Sequence, residues 1–392
     1  MRPFENGMKA KLGWVAISML VGDRVKFFSL IFGMAFATLL MAQQVSFCIG
    51  LISLSGNPVL DVPEVDLWVM RRGTQSVNTP VPIPLSEVSR VKSVSGVAWA
   101  VPLFRGAGAV RIANGSSQPV GLVGVDDATL LGAPQKFFLG RFADLRGPDA
   151  VFLNRSGYKL LFPGEPEVLG RSFELNDRRA VVAGIVDTLP VFGVSRAIVF
   201  TRYANALRYA PSGRNALSFV LVKAAEGQDM AVLAQRIDAS TGLKATSRSV
   251  FVRQSIDYTI ATSGIVYSFA VVVILGAIVG AVIVALTLSL FVRDNLRQLG
   301  ALKAIGVRSS VLVRMVLLQA FLAALVGFGL GIGAAAWVLQ ALAGASADFS
   351  TFYLPWQVMV GVGAAVIVMT LVASLASVRK VVSTDAAVVF RG

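Results

Sequence analysis

Four long apolar runs constrain the fold of this chain more than any other feature. They cover residues 27–52, 260–292, 311–342 and 356–378, and each is long enough to cross about 30 Å of hydrocarbon as a helix. The chain is 55% hydrophobic and 15% charged, whereas soluble domains carry about a quarter charged residues. We therefore predict an α-helical membrane protein with four transmembrane helices.

The segment between the first two runs, residues 53–259, has the pattern of a folded α+β domain. Short β-rich runs such as "VDLWVM", "RRAVVAGIV" and "LSFVLVK" alternate with turn signals. Two stretches have helical periodicity: "PLSEVSRVKSV", with Ser86 as a candidate N-cap, and "GQDMAVLAQRIDAST". These patterns predict two βαβ-like halves with a β-rich insert near residues 135–195.

The distribution of Lys and Arg predicts the orientation of the chain. Basic residues are concentrated in residues 1–26, 293–310 and 379–392, while the loop at residues 343–355 contains none. Cytoplasmic loops carry such an excess, so both termini, including an amphipathic N-terminal segment, are expected in the cytoplasm and the large domain outside. The net charge of +14 is then mostly a topology signal, and no nucleic-acid partner is expected.

Several kinds of chemistry have no support in the sequence. The chain has no histidine and a single cysteine, Cys48, so no disulfide or Cys/His metal cluster can form within it. No Walker A motif is present, and the interiors of the spans carry no charged residue that would mark a proton path. We therefore predict no catalytic residue, no metal and no cofactor bound by this chain.

Glycines in two of the spans have the spacing of helix-packing motifs. Gly276 and Gly280 form one GxxxG pair, and "GFGLGIG" contains two interlocking pairs. Small residues at this spacing let membrane helices approach closely. Helix packing is thus the predicted role of Gly276, Gly280, Gly327, Gly329, Gly331 and Gly333.

The basic stretch "RQLGALKAIGVRSS" interrupts the apolar runs between spans two and three. Its leucines and Ile305 recur every three residues and predict a short amphipathic helix, which Gly306 would end in the C′ position. Residues alone leave two interpretations open: a basic loop without a partner, or a lever that a cytoplasmic protein moves.

This stretch, extended as "RDNLRQLGALKAIGVRSSVLVRMVLLQAFLAALVGFGLGIG", resembles the signature of the FtsX-like, MacB-type ABC transporter permeases (type VII). "LKAIG" and the tail "STDAAVVFRG" resemble the DevC-type branch, although Ala386 and Gln298 depart from its pattern. The resemblance implies that the short helix couples to a separate ATPase. The coupling residues would be Arg297, Gln298, Leu299, Leu302, Lys303, Ile305 and Gly306.

The resemblance also implies the setting in which such a chain works. It would be a homodimeric permease of the bacterial inner membrane, in contact with membrane lipids, with ATP and Mg held by the partner ATPase. Energy would pass outward to the periplasmic domains, which is called mechanotransmission. A periplasmic adaptor, a TolC-like outer-membrane duct and a glycolipid or similar amphiphilic cargo are expected. Two alternatives within the superfamily are a transducer that regulates cell-wall hydrolases and a lipoprotein-releasing permease.

Overall fold

The computed structural model describes Ser18 and residues 24–112, 115–191, 197–210, 216–305, 307–345 and 352–383. The chain forms two compact units: residues 1–50 with 265–392, and residues 51–264. Most of the predicted N-terminal segment, residues 346–351 of the loop at 343–355, and residues 384–392 of the tail lie outside the described residues.

Four helices in the first unit are long and apolar enough to cross a membrane. They are α1 (Arg24–Ser53), α8 (Ile265–Asp294), α10 (Ser309–Ala345) and α11 (Trp356–Ser383). The second span therefore begins five residues later than predicted. The preceding residues belong to a separate helix, α7 (Arg248–Thr262), which ends before Gly264 adopts a left-handed φ of 66°.

Apolar side chains from all four spans fill the core of the membrane unit. Met34 and Met41 of α1 pack in the same cluster as Leu288 of α8, Ala323 of α10 and Met369 of α11. The buried polar side chains of these helices, among the residues described, are uncharged. Hydroxyls of α11 satisfy their bonding on its backbone: Thr370 Oγ1 donates to the Val366 carbonyl across 2.7 Å. The helices therefore pack through apolar and uncharged polar side chains, and the described residues of their interior form no chain of ionisable groups.

The second unit, residues 51–264, is an α+β domain whose described strands form one ten-stranded sheet and one two-stranded sheet. Its strands are β1 (Leu67–Met70), β2 (Ile83–Pro84), β3 (Val97–Arg111), β4 (Ser117–Val125), β5 (Phe137–Leu139), β6 (Ala150–Asn154), β7 (Ser172–Leu175), β8 (Arg178–Val186), β9 (Ile198–Arg202), β10 (Ala216–Leu217), β11 (Phe219–Ala224) and β12 (Lys244–Ser247). Its shorter helices are α2 (Asn57–Leu60), α3 (Ser86–Lys92), α4 (Arg155–Leu161), α5 (Tyr203–Tyr209) and α6 (Met230–Thr241), with a 3-10 turn at Phe142–Arg146.

Four of these strands form a frame made of two β-α-β units. The strand order β12-β1-β11-β3 places β1 between β12 and β11, both antiparallel to it, and β11 beside β3. Helix α3 connects β1 to β3, and α6 connects β11 to β12. This is the split β-α-β arrangement of ferredoxin-like folds, and it matches the two halves predicted from sequence. The N-cap prediction is wrong, because α3 starts at Ser86 itself and its cap residue is Leu85, which makes no side-chain cap bond.

The insert between β3 and β11 closes into a barrel. Pairing runs from β3 to β4, β9, β6 and β8, and β7 joins β8 back to β3. Six strands thus form a ring, which leaves few exposed strand edges. The insert is larger than the predicted 135–195, because β4 and β9 belong to it and β3 is shared between frame and barrel.

Candidate functional site

Helix α9 (Leu296–Ala304) occupies the stretch predicted to couple to a cytoplasmic partner. Helix α8 ends at Asp294, and the Asn295 side chain donates to the Phe291 carbonyl across 2.8 Å, which caps that end. At the other end, the Val307 N–H donates to the Leu302 carbonyl across 3.1 Å. This six-residue bond is how a Schellman motif ends a helix. The predicted stop residue, Gly306, lies outside the described residues.

The surface of α9 leaves an apolar side chain uncovered. Ile305, the residue after the helix, is 82% exposed, and Gln298 is also exposed. Leu302 and Lys303 are half-buried, and Gly300 is buried. The predicted residues Arg297 and Leu299 lie in the helix, but their side chains are outside the described part of the chain. The Ile305 side chain is therefore available for an apolar contact with another molecule.

An ion pair that the sequence did not reveal lies directly before α9. The Lys26 ammonium near the start of α1 contacts the Asp294 carboxylate at the end of α8. Lys26 contributed only to the topology signal in the sequence, and its partner is distant along the chain. The pair connects the start of the first span with the end of the second span, next to the start of α9.

Four of the six predicted packing glycines lie against neighbouring helices of the same chain. An added Cβ would come within 2.5 Å of the Met34 Cβ at Gly327, and within 2.5 Å of the Ala35 carbonyl oxygen at Gly331. At Gly280 it would lie 2.6 Å from the Ala37 Cβ, while Gly276 has looser contacts of 3.7 Å or more. All four therefore face α1 within one chain.

The other two predicted packing glycines, Gly329 and Gly333, have no close neighbour among the described residues of the chain. An added Cβ at Gly329 or Gly333 would meet nothing within 4 Å. The interlocking pairs of "GFGLGIG" thus occupy two faces of α10: one packed on α1, and one open within the chain. A role of the open face in packing stays a prediction.

Carboxylates of the external domain make structural contacts. Asp126 Oδ2 accepts from the backbone N–H of Thr129 across 2.8 Å, which fixes a turn. Glu167 pairs with Arg155 at 3.0 Å on the surface. Across the residues that the structure describes, no group of three or more His, Cys, Asp or Glu could hold a metal ion.

Known protein families match both units of the chain. The FtsX-like permease C-terminal family matches residues 268–386, and the MacB-like periplasmic core domain family matches residues 28–240. The macrolide export ATP-binding/permease protein MacB of Escherichia coli K12 is 25% identical over 189 residues, and the Shigella flexneri protein of that name gives the same values. The match covers 46% of this chain but only 29% of these relatives.

Solved structures of external domains are also similar. The extracellular domain of YknZ from Gram-positive bacteria is 18% identical, covering 47% of this chain and 98% of that one, with a TM-score of 0.35. The periplasmic region of MacB from Actinobacillus actinomycetemcomitans is 17% identical, covering 52% and 94%, with a TM-score of 0.37.

The MacB-like match alone covers more than half of the chain and decides its class: a membrane permease with a periplasmic-type domain inserted after the first span. The chain belongs to the MacB-type family of FtsX-like ABC transporter permeases.

Proposed function

We propose that this chain is the permease subunit of an ATP-driven exporter and that α9 docks on a separate ATPase subunit. The observation that carries the proposal is the exposed Ile305 at the end of a short helix held between two membrane helices. An apolar socket on a partner would bury this isoleucine.

Movement of α9 has a direct mechanical route along the chain. Helix α8 continues without interruption for 30 residues, so it is about 45 Å long. A rigid helix displaced at one end is displaced at the other. Packing of Gly280 and Gly331 against α1 couples the other spans to that motion, and the buried polar side chains described in the spans are uncharged. This supports mechanotransmission rather than an ion-coupled pump.

The remaining parts of the assembly follow the family. The permease would work as a homodimer with its termini in the cytoplasm, and its ATPase would hold ATP and Mg. A periplasmic adaptor and an outer-membrane duct would carry an amphiphilic cargo onward. Membrane lipid would contact the exposed apolar faces of the spans.

The Ile305→Asp variant tests the docking contact. A carboxylate placed in an apolar socket is costly to desolvate, so affinity for the ATPase should fall at least about tenfold. Ser310→Asp is the matched control, because it adds the same charge to an exposed position nearby. Binding is measured by co-purification from membranes that co-express both subunits. Equal recovery of the ATPase with both variants would remove the docking role.

A further inference from the structure

A cavity of about 470 Å³ lies within the external domain, on one face of the sheet. Its apolar wall comes from β4 and β9 and includes Pro119, Val123 and Ile198, which lie on the same face of the sheet. The last turn of α7 forms another wall. Pockets of this size accommodate small organic ligands.

The walls of the cavity are fixed by hydrogen bonds between distant segments. Ser255 of α7 accepts from the Val77 N–H across 3.1 Å, and the Gln254 amide donates to the Thr74 carbonyl across 2.9 Å. These bonds hold the loop at residues 74–80 against α7. The cavity is therefore a formed feature of the domain and not a gap between loose loops.

One cation lines this otherwise uncharged cavity. Arg105 of β3 pairs with Val123 in the sheet and lies on the same strand face as Leu103, which is buried in the core. Its guanidinium makes no hydrogen bond or ion pair with any residue in the described part of the chain, and the other described lining residues are apolar or neutral polar. Its backbone, in contrast, is anchored by Ser218 at 2.8 Å.

The surroundings of Arg105 keep it charged but poorly neutralised. Burial lowers the pKa of its guanidinium to about 10, and Asp61 opposes this shift through space. Asp61 lines a small adjoining cavity of about 20 Å³, which Arg105 also borders. Burial raises the pKa of the Asp61 carboxyl to about 6, so this residue is mostly ionised at neutral pH. Its Oδ1 accepts from the Leu189 N–H across 3.1 Å, and it forms no ion pair with Arg105 in the described part of the chain. The guanidinium thus retains capacity for an external anion.

The rim of the cavity is open and polar. Gly106 and Ala107 are exposed, and Thr79, Tyr258 and Thr262 supply hydroxyls around the opening. A ligand with an apolar body and an anionic head would place the body against the β4 and β9 wall and its head on Arg105. A neutral or cationic ligand would leave the guanidinium without a partner.

We propose that this cavity binds an amphiphile with an anionic head group, such as a sulfate, phosphate or carboxylate, and that Arg105 recognises the head. Its identification as a cargo site rests on the proposed export function. The proposal that the cavity binds such an amphiphile does not depend on that function.

The experiment uses the full chain in nanodiscs of zwitterionic lipid and a photoreactive analogue of decyl sulfate. After irradiation, cross-linked peptides are mapped. Probe that merely partitions into lipid labels the spans, whereas bound probe labels residues 74–80, 119–123 and 258–262. In Arg105→Gln, labelling of these three segments should fall about ten- to a hundredfold, with Arg105→Lys retaining part of it.

Matched controls separate charge recognition from general effects. Arg72→Gln removes the same charge from an exposed position outside the cavity and should change nothing. Ala107→Trp should block the opening without altering charge. Decyl sulfate should compete with the probe, while decanol and decyltrimethylammonium should not. Equal cavity labelling in wild type and Arg105→Gln, or equal competition by the cation, would overturn the proposal.

A second arm identifies the source of the ligand. Mass spectrometry of the purified chain should find an anionic amphiphile that is depleted in Arg105→Gln. A lipid with a phosphate head would show that it comes from the membrane, and a water-soluble anion that it comes from the periplasm. Ligand binding to the cavity requires no ATPase. A negative result for ligand binding would therefore not affect the α9 docking proposal, and a negative result for docking would not affect the proposed binding site.

Discussion

Gly331 offers a test of how closely the helices of the membrane unit pack. In Gly331→Ala, the new Cβ would lie 2.5 Å from the Ala35 carbonyl oxygen and 2.6 Å from the Thr38 Cβ. A backbone oxygen cannot rotate away as a flexible side chain can, so α10 and α1 must separate. Overpacking of this kind costs about 1–3 kcal/mol.

Gly329→Ala is the matched control, because it lies on the same helix and its new Cβ meets nothing within 4 Å. Both substitutions gain the same helix propensity, up to about 1 kcal/mol. The difference between the two variants therefore isolates the packing cost, and we expect Gly331→Ala to be less stable by about 1–3 kcal/mol.

The assay is equilibrium unfolding of the full chain in mixed micelles as the denaturing detergent is increased, with paired measurements on both variants. Equal stability would show that α10 and α1 are not in close contact through this face. The larger substitution Gly331→Leu would clash with the same residues of α1, Ala35 and Thr38, so its first effect would be on packing within one chain.

Three further predictions concern topology, pH and energy. In a Cys48→Ala background, the exposed Lys92→Cys should react with a membrane-impermeant thiol reagent added from the periplasmic side. Ser310→Cys should react only after the inner membrane is opened. The reverse labelling pattern would contradict the predicted orientation. Because the folded pKa of Asp61 is raised from 3.8 to about 6, stability present below pH 4 should be lost as pH rises through about 6, by up to about 3 kcal/mol. Asp61→Asn should abolish that pH dependence in thermal unfolding followed by tryptophan fluorescence, and a slope unchanged by the substitution would contradict it. The purified chain should hydrolyse no ATP without its ATPase, since it has no phosphate-binding loop, and turnover by the chain alone would refute the subunit assignment.

The membrane helices and α9 could be predicted because their signals are local. Hydrophobic run length identifies a span without knowledge of its neighbours, and the periodicity of "LRQLGALKA" is contained in one short segment. The frame of two β-α-β units could also be predicted, because each helical pattern is followed by a strand-like run. The start of the second span was misplaced because Ile260 continues the apolar run, although it belongs to α7.

The barrel and the cavity were not predicted, because both depend on pairings between distant segments. Closure of the ring needs Val110 of β3 to face Leu175 of β7, and neither strand indicates the other in the sequence. Arg105 in "LFRGAG" has an ordinary appearance for a strand arginine. Its burial on the α7 face becomes visible only when the register of β3 is known.

The barrel inserted between β3 and β11 has a consequence for biosynthesis. Val101 of the frame pairs with Leu221, which is 120 residues further along the chain, so the whole insert must be synthesised before this strand meets its partner. Closing so long a loop is slow. The barrel strands, in contrast, pair mostly with one another and can close earlier, except that their ring includes the second half of β3. We expect the barrel to form first as the chain emerges and to hold β3 in place, so that β11 and β12 complete the frame late in folding.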